Sequence, residues 1–148
     1  MNMNTLGTQA QAWVPHRGEM CLIDEVAEVD AEHSVAELEV PVDGLFVRDG
    51  GVPGWIGIEY MAQTIASWAG ARARRAGGAP RIGMLLGTRR YDVRVARFPS
   101  GARLRVEARC DLMAESGLGQ FDCRIVMDGQ EVATARVSVF EPPEGEPS

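Results

Sequence analysis

The chain has 148 residues, of which 45% are hydrophobic and 24% are charged, so its length and composition fit one globular domain. Its formal net charge of −6 argues against a nucleic acid as the partner of the whole surface. All of its basic residues apart from two histidines are arginines, and a guanidinium can grip a phosphate or a carboxylate through two hydrogen bonds.

The beginning of the chain and its one long apolar stretch bear on where the protein works. The first fifteen residues have neither a basic start nor a long apolar run, so no signal peptide is expected. Residues 52–71 approach the length of a membrane span, but they contain Glu59 and Gln63 and begin near a proline-glycine pair. This pattern favours a buried helix in a cytoplasmic protein that does not enter the membrane.

Most of the remaining sequence alternates between apolar and polar residues, as strands do. The Asp128-Gly129 pair predicts a two-residue hairpin turn, since glycine tolerates the positive φ that such turns need. Residues 100–101 and 116–117, both serine-glycine, mark two further turns. The predicted strands are residues 20–29, 34–40, 81–95, 102–114, 120–127 and 131–140.

One segment differs from these strands. From Trp55 to about residue 76 the sequence has helix-favouring composition, and Gly77-Gly78 followed by Pro80 predicts its end. A helix that is apolar on all sides must be enclosed, so we expect an antiparallel sheet wrapped around it. This is an α+β hotdog fold, with one domain over residues 1–140 and a disordered acidic tail at 141–148.

Glu59 is the most informative residue, because it is the only charged residue of the predicted helix before Arg72. Gln63 follows four residues later on the same helical face. A buried carboxylate is costly unless it is paired, and burial favours its neutral form, which suits a general acid or base. The alternative is structural, with the carboxylate satisfied by a partner subunit or by the start of the helix.

A glycine-rich segment, residues 49–54, leads into this helix. Free amides at a helix start can polarise a thioester carbonyl or stabilise an enolate oxygen. A flexible turn is the alternative interpretation of a glycine- and proline-rich segment, and its attachment to the Glu59 helix is what favours a functional role.

Three motifs resemble those of FabZ-type 3-hydroxyacyl-ACP dehydratases. Residues 14–17 (VPHR) and 20–26 (MCLIDEV) resemble the opening motif of these enzymes. Residues 53–63 (PGWIGIEYMAQ) are similar to their central-helix motif, in which proline-glycine leads to an acid and then to a glutamine. Residues 97–101 (RFPSG) resemble their proline-glycine turn.

More narrowly, residues 51–53, 57–63 and 86–91 resemble ApeP-like proteins, dehydratases associated with the assembly of aryl polyene pigments. This resemblance implies a hotdog dimer acting on an acyl group that the phosphopantetheine of an acyl carrier protein carries, with no further cofactor. It implies that Glu59 is the catalytic acid and that the Gly54 amide binds the thioester carbonyl. Gln63 would orient Glu59.

Several apolar residues are candidates for lining an acyl tunnel, and packing in the core is the alternative for each of them. These residues are Phe46, Trp55, Tyr60, Met61 and Trp68.

The sequence departs from the FabZ pattern at one position. Those enzymes have a histidine fourteen residues before the acid, and the matching residue here is Leu45, which cannot take a proton. His16 and, as displaced bases, Asp43 and Asp49 are the candidates to replace it, whereas His33 is expected in a solvated turn. A partner hotdog subunit that supplies the histidine is the other possibility.

Arginines concentrate from the last turn of the predicted helix onward. Residues 71–107 contain ten arginines against two acidic residues, whereas the remainder has five against nineteen. Arg72, Arg74 and Arg75 at the helix exit are therefore candidates for docking an acidic carrier protein, and simple solvation is the alternative.

The three cysteines are far apart and form no C-x-x-C pair, so they predict small buried hydrophobic side chains rather than a zinc site. The leading function is dehydration of a 3-hydroxyacyl thioester to a 2-enoyl thioester, in aryl polyene or fatty-acid-like synthesis. A non-catalytic acyl-thioester-binding or scaffold subunit of a heteromeric dehydratase is the second hypothesis, and a hotdog thioesterase is the third.

Overall fold

The computed structural model describes residues 20–77 and 87–140, and the backbone alone of residues 8–9 and 84–86. Residues 14–17 of the opening motif, which include His16, the Gly78-to-Pro80 segment and the predicted tail at 141–148 lie outside the described residues.

The described chain consists of strands and one α-helix. In chain order these are β1 (Thr8–Gln9), β2 (Glu25–Val29), β3 (His33–Glu39), β4 (Gly51–Pro53), α1 (Gly57–Arg75), β5 (Met84–Val93), β6 (Arg97–Pro99), β7 (Arg103–Met113), β8 (Leu118–Met127) and β9 (Gln130–Phe140). A short 3-10 helix, Gly54–Ile56, connects β4 to α1.

Seven strands form one antiparallel sheet in the order β1-β2-β3-β7-β8-β9-β5, and β4 pairs with β6 separately. The helix α1 packs on one face of the large sheet, and buried side chains of α1 and the strands form one hydrophobic core. This confirms the predicted α+β architecture. Within the described residues, no helix has both the length and the hydropathy that crossing a bilayer demands.

Where the structure describes them, the predicted strands agree with β2, β3, β5, β7, β8 and β9 except near residue 20, whereas the short strands β1, β4 and β6 were not predicted. The β8–β9 hairpin turns at Asp128 and Gly129, which both have positive φ, as predicted. Residues 20–24, however, are not part of β2, because the side chain of Gln63 takes up backbone groups of this segment. A side chain that competes for the backbone in this way leaves no trace in the alternation of the sequence.

The end of α1 is also as predicted. Gly77 has φ +82°, and its amide donates to the Arg74 carbonyl. Because glycine adopts this left-handed conformation without a steric penalty, it can close a helix where other residues would be strained.

The prediction that the helix is enclosed on all sides was wrong for the single chain. One stripe of α1 and of the preceding turn is open or only partly covered, and it recurs at intervals of three and four residues. The stripe consists of Trp55, Glu59, Ala62, Ala66, Ala69 and Ala73. We call it the open stripe.

Candidate functional site

The glycine-rich approach to α1 is ordered by strand pairing. In β4, Gly51 pairs with Pro99 and Val52 with Phe98 of β6. A Cβ atom on Gly51 would lie 2.5 Å from the Phe98 carbonyl oxygen, so only glycine allows the two strands to approach so closely. The segment is therefore ordered by strand pairing and is not a flexible turn.

Gly54 has both of its backbone groups engaged. Its amide donates to the Ala96 carbonyl at 2.9 Å, and its carbonyl accepts a hydrogen bond from the Tyr91 hydroxyl at 2.5 Å. The expectation that the Gly54 amide is free to bind a thioester carbonyl is therefore corrected, because the turn after β5 occupies it.

Glu59 is exposed in the single chain, and its side chain forms no hydrogen bond or ion pair with the described residues. Its neighbour Tyr60 is only 2% exposed, and successive residues of an α-helix point about 100° apart, so burying Tyr60 turns Glu59 outward. Trp55, one turn earlier, is 61% exposed. The expectation that Glu59 is buried was therefore wrong for the single chain. Its chemical role stays a prediction.

Gln63 serves a different purpose from the one expected. It is 1% exposed, its Oε1 accepts from the Leu22 amide at 2.7 Å, and its Nε2 donates to the Met20 carbonyl at 2.6 Å. Both ends of the carboxamide are thus used on the backbone before β2, and it does not hydrogen-bond to Glu59. The expectation that Gln63 orients Glu59 is corrected.

Of the residues predicted to line a tunnel, two belong to the core. Met61 is fully buried. Trp68 packs edge-on against Phe121 and donates through Nε1 to the Ala31 carbonyl. Their surroundings favour the packing interpretation for both.

Tyr60 and Phe46 instead line a small cavity of about 200 Å³ beside the start of α1. The other walls include Leu22, Leu45 and Asp43. Burial, reinforced by the negative charge of Asp24 and by Tyr91, raises the pKa of Tyr60, so its hydroxyl stays protonated at neutral pH. Within the described residues no acceptor binds this hydroxyl.

The sequence offered Asp43 and Asp49 as equally good candidates for a displaced base, and the cavity separates them. Asp43 lines it together with Leu45, the residue at the position of the missing histidine. Asp49 lies elsewhere, with its carboxylate 3.4 Å from the Arg97 guanidinium. If an aspartate of this chain acts near Leu45, the geometry favours Asp43.

The remaining candidates are dispersed. His33 is half-buried at the start of β3 rather than in a solvated turn, and its Nδ1 lies 2.9 Å from the Asp30 carboxylate. Arg72, Arg74 and Arg75 lie in the last turn of α1 and are exposed, and the Arg72 guanidinium stacks over the Trp68 ring.

The cysteines and the acidic residues that the structure describes do not form a metal site. Only Cys123 is fully buried, whereas Cys21 and Cys110 are partly exposed, which corrects the prediction for those two. Among the described residues, no three of His, Cys, Asp and Glu are grouped as metal ligands would be.

Both the sequence and the structure of the chain are similar to those of known proteins. The model of the ApeP-like family, described as ApeP dehydratase, matches residues 8–147. The dehydratase heterocomplex ApeI:P from Xenorhabdus doucetiae contains a chain that is 31% identical, with a TM-score of 0.85 and 93% of each chain covered.

Two more distant structures share the fold alone. A hypothetical thioesterase with coenzyme A from Streptococcus pneumoniae TIGR4 is 15% identical, with a TM-score of 0.64 over 80% of this chain and 85% of that one. The TT0310 protein from Thermus thermophilus is 20% identical, with a TM-score of 0.60 over 78% of this chain and 89% of that one. The match over nearly the whole length shows that this hotdog-fold chain belongs to the ApeP-like family of dehydratases.

Proposed function

We propose that this chain is one subunit of a heteromeric dehydratase that removes water from a 3-hydroxyacyl thioester. In this proposal Glu59 is the general acid, and a second hotdog subunit supplies the histidine that Leu45 replaces here. The observation that carries the proposal is the exposure of Glu59 within the open stripe, on a surface that otherwise offers mostly small or apolar side chains.

The open stripe has the character of a surface that a partner covers. Trp55 is a large exposed aromatic residue, a type enriched at the centres of interfaces. Ala62, Ala66 and Ala69 present little side chain and allow another backbone or helix to approach closely. The likeness to one chain of a dehydratase heterocomplex supports a hotdog subunit as the occupant.

The chemistry follows from covering Glu59. A partner that covers this carboxyl excludes bulk water, so that the carboxyl can exchange a proton with the bound substrate rather than with solvent. The partner's imidazole takes the C2 proton, the C2–H electron pair forms the C2–C3 double bond, and the C3–O bond breaks. Glu59 protonates the departing hydroxyl, which leaves as water, and the product is a 2-enoyl thioester.

We propose that the small cavity beside the start of α1 binds the acyl group. Its walls combine apolar side chains such as Phe46 and Leu45 with Tyr60, which suits an acyl chain. We propose that the acyl group is carried on the phosphopantetheine of an acyl carrier protein, in aryl polyene or fatty-acid-like synthesis. The exposed Arg72 and Arg75 are the cations we propose for docking it, with Arg74 beside them.

A non-catalytic scaffold subunit is the second candidate. Two observations favour it: Leu45 cannot act as a base, and the Gly54 amide is already engaged by Ala96. In that case the chain would stabilise a partner whose own residues carry out the reaction.

The experiment is to co-purify the chain with a histidine-bearing hotdog partner and to follow a 3-hydroxyacyl carrier protein by mass spectrometry. Loss of water with the wild-type complex, abolished by Glu59→Gln but not by Glu115→Gln, supports catalysis by Glu59. Glu115 is a matched control, since it is also an exposed glutamate without a partner among the described residues. Undiminished activity of the Glu59→Gln complex, with loss of activity when the chain is omitted, supports the scaffold, and release of free acid indicates a thioesterase.

A further inference from the structure

The face of the large sheet that is turned away from α1 has a groove of about 570 Å³ that the proposed reaction does not use. On β7 the core residues Leu104 and Val106 alternate with Glu107 and Arg109, which point to the opposite face and line this groove. The volume falls within the range of about 300–1,000 Å³ that is typical of small-molecule sites.

Charged side chains cross the sheet in a row at this groove. Directly paired residues of β3, β7, β8, β9 and β5 form it in the order His33, Arg109, Asp122, Arg136 and Arg89. Each of them lines the groove.

Most of the acidic side chains in the groove are already neutralised. Glu107 accepts hydrogen bonds from Arg124 and Arg105, and Asp122 accepts one from Arg136 at 3.0 Å. Glu131 lies 3.7 Å from the Arg124 guanidinium.

Three cations of the groove are left without such partners. The side chains of Arg89, Arg90 and Arg109 form no hydrogen bond or ion pair with any described residue. Among the lining carboxylates only that of Asp92 is likewise unpaired within the described residues. The unpaired charge of the groove is therefore positive, and it is concentrated in guanidinium groups, which bind phosphate through two parallel hydrogen bonds.

The backbone shows that this concentration has a cost. Arg89 of β5 is directly opposite Arg136 of β9, and because Arg136 is already paired with Asp111 and Asp122, the unpaired positive charge of these two arginines lies on Arg89. Arg90 has φ +53°, a conformation uncommon for residues other than glycine, at a shift of register between Arg89 and Asp92. Such a bulge sets two residues of one strand against one of its neighbour, and here Arg89 and Arg90 both line the groove.

We propose that this groove binds a small molecule with two or more linked phosphate groups, held by Arg89, Arg90 and Arg109. An anion here would neutralise the guanidinium charges that no carboxylate among the described residues pairs with. Three strand spacings separate Arg109 from Arg89, about 14 Å between backbones, so an extended oligophosphate fits better than a single phosphate.

A small ligand fits this groove better than the acidic surface of a protein. Carboxylates of Asp92, Glu107, Asp122 and Glu131 lie in the walls, and they would oppose a broad negative surface. Pairing of another subunit along the edge of β5 would leave the groove open, because strand side chains point perpendicular to the direction of pairing.

The test is titration of the full-length chain with sodium tripolyphosphate in a calorimeter, at low and at physiological salt. We expect saturable binding that Arg109→Gln and Arg89→Gln each weaken about tenfold or more, through loss of charge-assisted hydrogen bonds. Arg109→Lys keeps the charge but loses the planar fork, so binding of intermediate strength is expected. Arg48→Gln is the control, because Arg48 is an exposed arginine outside the groove.

Melting curves without ligand establish that each variant is folded. If either Arg109→Gln or Arg89→Gln fails to fold, the other variant still tests the groove. The proposal is overturned if tripolyphosphate does not saturate the chain, or if Arg48→Gln weakens binding as much as Arg109→Gln does. It is also overturned if a polyglutamate peptide binds in an Arg109-dependent manner and tripolyphosphate does not. Because the readout is binding, Glu59→Gln is expected to leave it unchanged, and failure of the proposed reaction would not affect it.

Discussion

The Tyr91 hydroxyl donates a hydrogen bond to the carbonyl of Gly54, which ties the edge strand β5 to the turn that begins the helical segment. Both groups lie in partly or fully buried surroundings, and burial raises the pKa of Tyr91 to about 12, so the hydroxyl keeps its proton at neutral pH. The position of the helix start, and with it the open stripe, thus depends on a contact that is distant in sequence.

Replacing this tyrosine tests the importance of that contact. In Tyr91→Phe the buried Gly54 carbonyl loses its side-chain donor, and we expect a loss of about 1–3 kcal/mol in the free energy of unfolding. Urea denaturation followed by circular dichroism measures it. A loss below about 0.5 kcal/mol would mean that the Gly54 carbonyl finds another donor.

Gly57 and Tyr91 are expected to be energetically coupled. A Cβ atom on Gly57 would lie within contact distance of the Tyr91 hydroxyl oxygen and would clash with it, so Gly57→Ala alone should cost about 1–3 kcal/mol. In the Tyr91→Phe background the oxygen is gone, and the same substitution should cost at least about 0.5 kcal/mol less. A double-mutant cycle by urea denaturation measures the coupling, and strictly additive losses would contradict it.

Gln63 should matter for stability more than for the proposed proton transfer. In Gln63→Leu the backbone groups of Met20 and Leu22 lose their partners, so we expect a loss of about 2–4 kcal/mol in unfolding free energy. Hydrogen exchange at the Leu22 amide should accelerate selectively. If exchange at Leu22 is unchanged while activity of the complex falls, Gln63 acts on the reaction directly.

The sequence predicted the architecture because the pattern behind it is local. Apolar alternation and the Asp128-Gly129 turn indicated β8 and β9, and Gly77 indicated the helix end. These signals depend on neighbours along the chain, and tertiary packing did not override them.

The candidate site was harder to predict because the contacts and the exposure of its residues depend on parts of the chain that are distant in sequence. Gln63 follows Glu59 by one helical turn, yet its carboxamide is taken by the segment before β2, 41 residues earlier in the chain. Glu59 itself is exposed, since the helix buries the adjacent Tyr60. Neither outcome could be inferred from helical spacing, which gives relative direction but not the direction of the core.

Ion pairs of Glu107 on the outer face of the sheet should make part of the protein's stability sensitive to acid. Burial opposes ionisation of Glu107, but hydrogen bonds from Arg124 and Arg105 outweigh it and lower the pKa of this carboxyl. The unfolded chain therefore binds a proton at a higher pH than the folded one. The stabilisation is complete above the unfolded pKa of about 4.3 and is lost as the pH falls through the lower, folded value.

Glu107→Gln should remove this dependence. We expect the melting temperature of the wild type to fall more steeply than that of Glu107→Gln between pH 6 and pH 3. The difference should be worth less than about 1 kcal/mol, because these ion pairs are partly exposed to solvent, and 1 M salt should reduce it. Parallel curves for the two proteins would show that Glu107 has no net pairing energy.

Restoring a base at position 45 tests the proposed division of roles most directly. Leu45 is 53% exposed and lines the cavity beside the start of α1, so Leu45→His places an imidazole there without disturbing the core. If two copies of the chain can pair, the introduced base of one copy would face Glu59 of the other. A general base contributes about 10²–10⁴-fold, so dehydration should rise at least about 100-fold above the wild-type chain alone.

Two controls make this gain specific. Val42→His adds an imidazole at a position in the same loop that is 74% exposed and does not line the cavity, and it should leave activity at the background level. Adding Glu59→Gln to Leu45→His should abolish the gain, because proton transfer to the leaving hydroxyl is then lost. If the chain does not self-associate, the same gain is expected with a partner whose own histidine has been removed. Equal activity of Leu45→His and Val42→His in both formats would show that position 45 does not face the reacting carbon.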